Sequence, residues 1–509
     1  MEIMVSHVGY DISKSKKAFV ADPPGNGKFC LINAVTKQTE LEGTLQYWGE
    51  KWGKNWAFVD FSCLDKVGEY QLQIDNKEAL VHIGNHQLWN RAWHACSLAQ
   101  LDVRAANCYP EGGWRDCGSE LQEVSSHVIM LDALCDLWHD RRLPEWERSH
   151  LQAHMQRGAD YILCCQQPEG GFVHELHHNS SISAGNCANA AAVLARVAGI
   201  LPEKADTYRK AAVKALQFVE SYDFFSVHGE NESLPITHGA PAGMTQAPKQ
   251  HRTRELLSIL DAQLSLYKLG LQEMKEKAFL LTEQILARQI PQSAAEYGLY
   301  GHFYTYDGFS FSEKANYHCG AWDLPYKNCN QGAHKPYWVM PLFEMLRLFP
   351  DAAQAEVWKK ALHQFAYGFF LPACKDNPFG IIPAGVYEEG ILYFSGWYHG
   401  HAKIYGYAAQ LAKECYVNWN DPAFMEIATG NLQWIAGLNV GNISLIVDVG
   451  DRTVQDWNSL RGTVVNGFDA SPQFRLQAVS KETDLPAYLD DEGGIHHCAG
   501  LLAGLCAIE

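Results

Sequence analysis

The sequence predicts a mainly α-helical protein, a double-layered (α/α)6 barrel preceded by a small β-sandwich, and three observations carry that prediction. Residues 1–84 hold short β-branched and aromatic runs, each near a Gly, Pro or Asn turn signal. Beyond Asn85 the texture changes to amphipathic stretches separated by Gly- and Pro-bearing loops. Those stretches number twelve, and six antiparallel hairpins can close into a barrel whose inner helices bury both faces while outer helices cover them. An open α-solenoid would show similar periodicity, but no fixed-length repeat demands one.

Taken in order, the strands expected in the sandwich are 18–20, 29–32, 56–59 and 70–74. The barrel is assigned residues 85–509, with helices near 87–107, 120–140, 146–166, 185–199, 204–221, 252–269, 272–288, 336–348, 353–371, 400–416, 422–438 and 492–507. At 509 residues the chain exceeds one small core, which agrees with two domains.

With 58 acids against 41 bases the formal charge is −17, which repels nucleic acid and anionic membrane and favours neutral or cationic ligands. No apolar run reaches the ~18 residues of a membrane span. Fifteen cysteines without paired spacing, and an N-terminus lacking a basic-then-apolar signal, lead us to expect a reducing cytoplasm. No Cys-x2-Cys pair meets a second pair, and Cys96, Cys108, Cys117 and His127 do not reproduce a zinc spacing, so neither metal nor other cofactor is expected.

The stretch Glu111 to Glu120 stands out. Gly112 and Gly113 allow a tight turn, Trp114 adds an aromatic face, and Asp116 and Glu120 place two carboxyls where one can hold a water and the other orient it. An ordinary acidic helix N-terminus would read the same way locally. Two long aromatic loops, 291–336 and 372–399, hold His302 to Tyr306, Trp322, Asn377 to Gly380, and Trp397, Tyr398 and His399; loops of this kind are expected to line a cleft at one barrel rim.

These features together resemble glycoside hydrolase family 9, inverting β-glucanases and related exo-glycosidases with an immunoglobulin-like N-terminal domain. The resemblance rests on Ser6 to Tyr10, Ser15 to Ala18, Asp60 to Ser62, Gly68 to Tyr70, Gly112 to Asp116, Trp434 to Asn439, and Asp491-Glu492 followed by Ala499 to Leu502. It implies Glu492 as general acid and Asp116 as a holder of the attacking water. The position of the second aspartate in the family's Gly-Gly-Trp-x-Asp-Ala-Gly-Asp motif is Ser119 here when aligned without a gap. Members resembling exo-β-glucosaminidases carry one extra residue between the acids and then a Ser-His pair, a spacing matched by Asp116, Glu120, Ser126 and His127, so Glu120 is expected to replace that aspartate. The family's His-Arg substrate segment is represented only by Asp451-Arg452 and by Trp457 to Arg461. One turn past Glu492, His496 is positioned to tune its protonation.

The expected activity is an inverting, exo-acting β-glycosidase on short β-linked glucosaminides or glucosides, with Trp114, His127, Trp322, Trp397, Tyr398, His399 and Arg461 as substrate contacts. Two alternatives stand beside it: an endo-β-1,4-glucanase, and a carbohydrate-binding pseudoenzyme whose lost base is marked by Ser119.

Overall fold

The computed structural model describes the chain except residues 26, 109–111, 119, 178, 222–250, 252, 296, 305–338, 384, 388–389, 395–401, 456–459, 470–484, 487 and 509, and the side chains at 179–181 and 386–387. The first nine strands are β1 (Glu2–Met4), β2 (Tyr10–Asp11), β3 (Lys17–Ala21), β4 (Lys28–Asn33), β5 (Thr39–Thr44), β6 (Gln46–Lys51), β7 (Lys54–Asp60), β8 (Gly68–Ile74) and β9 (Lys77–Gly84). They form two sheets, ordered β1-β3-β7-β6 and β2-β9-β8-β4-β5. Alternation sets their facing: in β8 Tyr70, Leu72 and Ile74 are buried while the intervening positions are not.

Twelve helical rods follow among the described residues: α1 (87–106), α2 (Val124–His139), α3 (Arg148–Cys164), α4 (Ala184–Ile200), α5 (Ala205–Glu220), α6 (Thr253–Lys268), α7 (Met274–Ala287), α8 (Met340–Leu348), α9 (355–375), α10 (Lys403–Trp419), α11 (Pro422–Ile435) and α12 (Ile495–Ala507). Each coincides with a stretch located by periodicity. Both α1 and α9 contain a π-helical turn, at Ala95–Ala99 and Phe365–Phe370. Three short hairpins interrupt the helices: β10 (Val173–Glu175) with β11 (Asn179–Ile182), β12 (Gly385–Tyr387) with β13 (Gly390–Leu392), and β14 (Val464–Asp469) with β15 (Tyr488–Gly494).

The even-numbered helices form the inner ring. Helix α2 packs on α12 and α4, α6 on α4 and α8, and α10 on α12. Between α8 and α10 the ring closes through the Arg347–Glu414 ion pair at 2.6 Å and Phe343 against Trp419 at 5.8 Å. Inner helices are accordingly enclosed on all sides: Thr253 to Leu266 of α6 is buried at every position, its Arg254, Glu255 and Asp261 included. Outer helices are amphipathic; α5 buries Tyr208, Ala211, Ala212, Ala215, Leu216 and Phe218 and exposes lysines. Ser183 caps α4 by accepting from Asn186 N–H, and Asp421 caps α11 with Pro422 at the first helical position.

Among the described residues of the two predicted cleft loops, His302, Phe303 and Phe379 pack inward instead. His302 and Phe303 are buried, packing against Phe369 and Phe365. Phe379 fills the interface between the domains, within 5.1 Å of Phe19, Trp56 and Trp434. An apolar ring gains more by leaving water there than by lining a wet cleft.

Helices α10 and α12 meet backbone to backbone, which sets how close α12 comes to the barrel axis. A Cβ on Gly500 would stand 2.5 Å from the Lys403 carbonyl oxygen, whereas one on Gly199, late in α4, meets only Leu269 at 3.7 Å. We expect Gly500→Ala to destabilise the protein by about 1–3 kcal/mol and Gly199→Ala to stabilise it by about 0.5–1 kcal/mol, read as opposite shifts of the urea midpoint.

Candidate active site

The Gly112–Asp116 turn is held by polar groups from three helices. Gly112 and Gly113 sit at φ +90° and +75°, and a Cβ on Gly113 would lie 2.5 Å from His127 Nε2. The Trp114 N–H donates to His127 Nε2 at 2.8 Å, so the ring carries its proton on Nδ1, which donates to the Glu123 carbonyl at 2.7 Å. Arg157 of α3 donates to the Gly113 carbonyl at 2.8 Å. Arg104 of α1 donates to the carbonyls of Arg115 at 2.9 Å and Asp116 at 2.6 Å, and also to Thr463 Oγ1 beside β14.

The last helix closes onto this turn. Ile495 N–H, the first of α12, donates to the Asp116 carbonyl at 2.9 Å. Asp116 Oδ1 accepts from Ser126 Oγ at 2.6 Å and from His496 Nδ1 at 3.4 Å. The His496 ring folds back over Gly494, where any Cβ would lie 2.5 Å from it. Oδ2 of Asp116 carries no hydrogen bond among the described residues. Burial alone would raise the Asp116 carboxyl, but the bonds from His496 and Ser126 and the Arg104 charge hold it well below the usual range. Asp116 is therefore a carboxylate at neutral pH, with one oxygen free for water.

Glu492 lies on β15, three residues before α12 begins, partly exposed, with its N–H donated to Asp490 Oδ1 at 3.1 Å. Asp490 also accepts from Asn466 of β14 at 2.9 Å, which ties the hairpin that carries Glu492. Glu120 stands out in solvent, 82% exposed, with Arg115 at 3.9 Å.

The structure corrects two predicted substrate contacts. Trp114 and His127 are both fully buried, stacked at 5.1 Å, with Tyr161 on the far face of His127 at 4.3 Å. Neither has a face to offer a sugar; they are the foundation of the turn. Arg461 is exposed, on a turn where Gly462 packs against Ala95 of α1. Trp322, Trp397, Tyr398 and His399 lie outside the described residues.

Sequence reasoning missed a second acidic pair. Glu123, immediately before α2, has a largely buried side chain that accepts from Ser125 Oγ at 3.1 Å and lies 3.2 Å from His174 of β10. Glu175 beside it accepts from Gln122 N–H at 2.8 Å. Burial alone would lower His174, but Glu123, with Glu175 and Asp116 beyond it, holds it above its ordinary value. The available signal was acid density: Asp116, Glu120 and Glu123 within eight residues.

Among the described residues, one group has metal-ligand character. Asp102 Oδ1 lies 2.9 Å from His150 Nε2 and 3.0 Å from His154 Nε2. The Trp114 indole, which can only donate, points at His154 Nδ1 at 3.2 Å. That bond places the proton of neutral His154 on Nε2, facing Asp102, so the cluster is a hydrogen-bonded brace for Trp114.

Burial pushes the His127 pKa from 6.5 down to about 4. Between those values the unfolded chain binds the extra proton, so this group's stabilisation, about 3 kcal/mol in full, is present above pH 6.5 and is lost as pH falls towards 4. His7, His154 and His496, all lowered chiefly by burial, act in the same direction, whereas the raised His150 and His174 oppose them, as do Asp11, Asp136 and Asp261, whose carboxyls burial raises. We expect the difference in urea midpoint between the wild type and His127→Gln to narrow as pH falls from 6.5 towards 4, measured by urea titration at several pH values.

The comparisons with known proteins agree with this architecture. A sequence model described as the cellulase N-terminal ig-like domain matches residues 1–79. Compared by sequence with curated proteins, the chain matches none. By structure, a metagenome-derived glycoside hydrolase family 9 endoglucanase superposes with a TM-score of 0.69 at 16% identity, over 99% of this chain and 98% of that one. A Bacteroides ovatus protein of family 9 gives 0.65 at 16%, over 99% and 98%. A thermostable endoglucanase from Alicyclobacillus acidocaldarius gives 0.65 at 16%, over 100% and 99%. The fold is thus an immunoglobulin-like sandwich followed by the (α/α)6 barrel of these enzymes.

Proposed function

We propose that the protein is an inverting glycoside hydrolase, an exo-acting β-glycosidase on short β-linked glucosaminides or glucosides. The observation that carries this reading is Asp116: an ionised carboxylate with Oδ2 free, bonded through its own backbone to the helix that follows Glu492. Inversion requires two carboxyls of opposite protonation on either side of a sugar, with water between one of them and the anomeric carbon. In this reading Asp116 Oδ2 fixes the water. Glu492 gives its proton to the leaving oxygen as the glycosidic bond breaks, and a further carboxylate takes a proton from the water.

We assign that last role to Glu120, whose solvent-exposed arm is free to swing, in keeping with the spacing Asp116 to Glu120. A specific observation favours Glu123 as a second reading, since it is enclosed and paired with His174. The concentration of Asp116, Glu123 and Glu175 at one rim supports a cationic amino sugar. The β10–β11 hairpin, bringing His174 onto Glu123, supports a walled, exo-type cleft. Two of the three structural neighbours are endoglucanases, which makes endo cleavage the competing outcome. The thirteen described cysteines form no disulfide, in support of a reducing cytoplasm.

Glu492→Gln should lower release of p-nitrophenol from a panel of β-glycosides by about 10²–10⁴-fold without unfolding the chain; wild-type rates in that variant would sink the proposal. Loss of comparable size in Glu120→Gln but not in Glu123→Gln assigns the base to Glu120, and the reverse result assigns it to Glu123. A fall in carboxymethylcellulose viscosity would mark endo action, and sugar binding without turnover in the wild type would mark a pseudoenzyme.

A further inference from the structure

Between the sandwich and the barrel lies a cavity of about 200 Å³ that shares no lining residue with the acid site. Its apolar floor is Phe19 of β3 and Phe379, both buried, with ring centroids 4.6 Å apart. Half-buried Trp48 and Phe58 also line it. At its edge Lys17 pairs with Glu426 at 3.3 Å, and Lys375 adds a further positive charge to the lining.

One polar group in this lining is unsatisfied. Gln433 of α11 is 3% exposed, and its Nε2 donates to the Gly9 carbonyl across the domain boundary at 3.2 Å. That bond fixes which way the amide points, because exchanging its ends would set two oxygens against each other. Oε1 is then the remaining end, buried and without a donor among the described residues. A buried acceptor left unpaired is costly, and such groups ordinarily find a partner.

We propose that this interdomain cavity is a second carbohydrate site, taking a single neutral pyranose ring. The aromatic side chains receive the apolar C–H face of the sugar, and a ring hydroxyl donates to Gln433 Oε1. A mostly apolar pocket with a few fixed polar groups, at a domain interface, is the usual form of a small-molecule site. The volume suits one ring, Lys17 is paired with Glu426, and Lys375 at the rim leaves one positive charge beside the site. The site is independent of the reaction assigned to Asp116 and Glu492.

Methyl β-D-glucopyranoside titrated into the full chain, carrying ¹³C-labelled Ile and Leu methyl groups, tests the proposal directly, because Ile427 and Leu438 line the cavity. Saturable shifts at both residues are expected. Gln433→Leu should weaken binding about 3- to 10-fold, the share of one neutral hydrogen bond. Thr429→Leu, which fills the cavity without touching the Gly9 contact, should abolish the shifts even if Gln433→Leu loosens the domains. Glycosidase activity should be unchanged in Thr429→Leu. The proposal is overturned if Ile427 and Leu438 do not respond, if Thr429→Leu responds like the wild type, or if phenol shifts them and the glucoside does not.

Discussion

The bond from Ile495 N–H to the Asp116 carbonyl is the contact on which the proposed site depends. It joins the loop after the first barrel helix to the first turn of the last, and only a closed ring brings those two points together. Arg104 reinforces the junction by donating to the same carbonyl while reaching Thr463 next to the hairpin that carries Glu492. Backbone and guanidinium thus set the spacing of the acids before any side chain of the reaction is considered.

Electrostatics follow from that junction. Helices α2 and α12 both begin here, and their N-terminal N–H groups place partial positive charge beside Asp116. Burial, which alone would neutralise the carboxyl, is outweighed by directed donors from Ser126 and His496. The site is an anion held in place by dipoles, with Glu123 and Glu175 extending the acidic character and His174 tempering it.

Much of this was legible in the sequence. Apolar periodicity located all twelve helical rods because barrel helices must bury at least one continuous stripe. Strands β3, β4, β7 and β8 were equally visible, but β5 and β6 were not: Thr39–Thr44 and Gln46–Lys51 are polar and mostly unburied, and pairing rather than burial makes them strands. The β14–β15 hairpin escaped notice because backbone ladders and single polar ties such as Asn466 to Asp490 have no sequence period. At the site, motif singled out Asp116 and Glu492, whose segments the structure brings together, yet Trp114 and His127 could not be recognised as buried. That fact depends on Gly158, which leaves room for the indole from a different helix, and on a tautomer set by a backbone N–H.

The order in which the chain is made gives the Asp116–His496 contact a further consequence. The two residues are 380 positions apart. At the usual 5–20 residues per second, a ribosome needs about 20–80 s to travel from one to the other. For that time the Gly112–Asp116 turn exists without the helix that completes it, and hairpins two to five emerge while the ring is still open. The seam between α12 and α2 is thus the final surface of the ring to be covered.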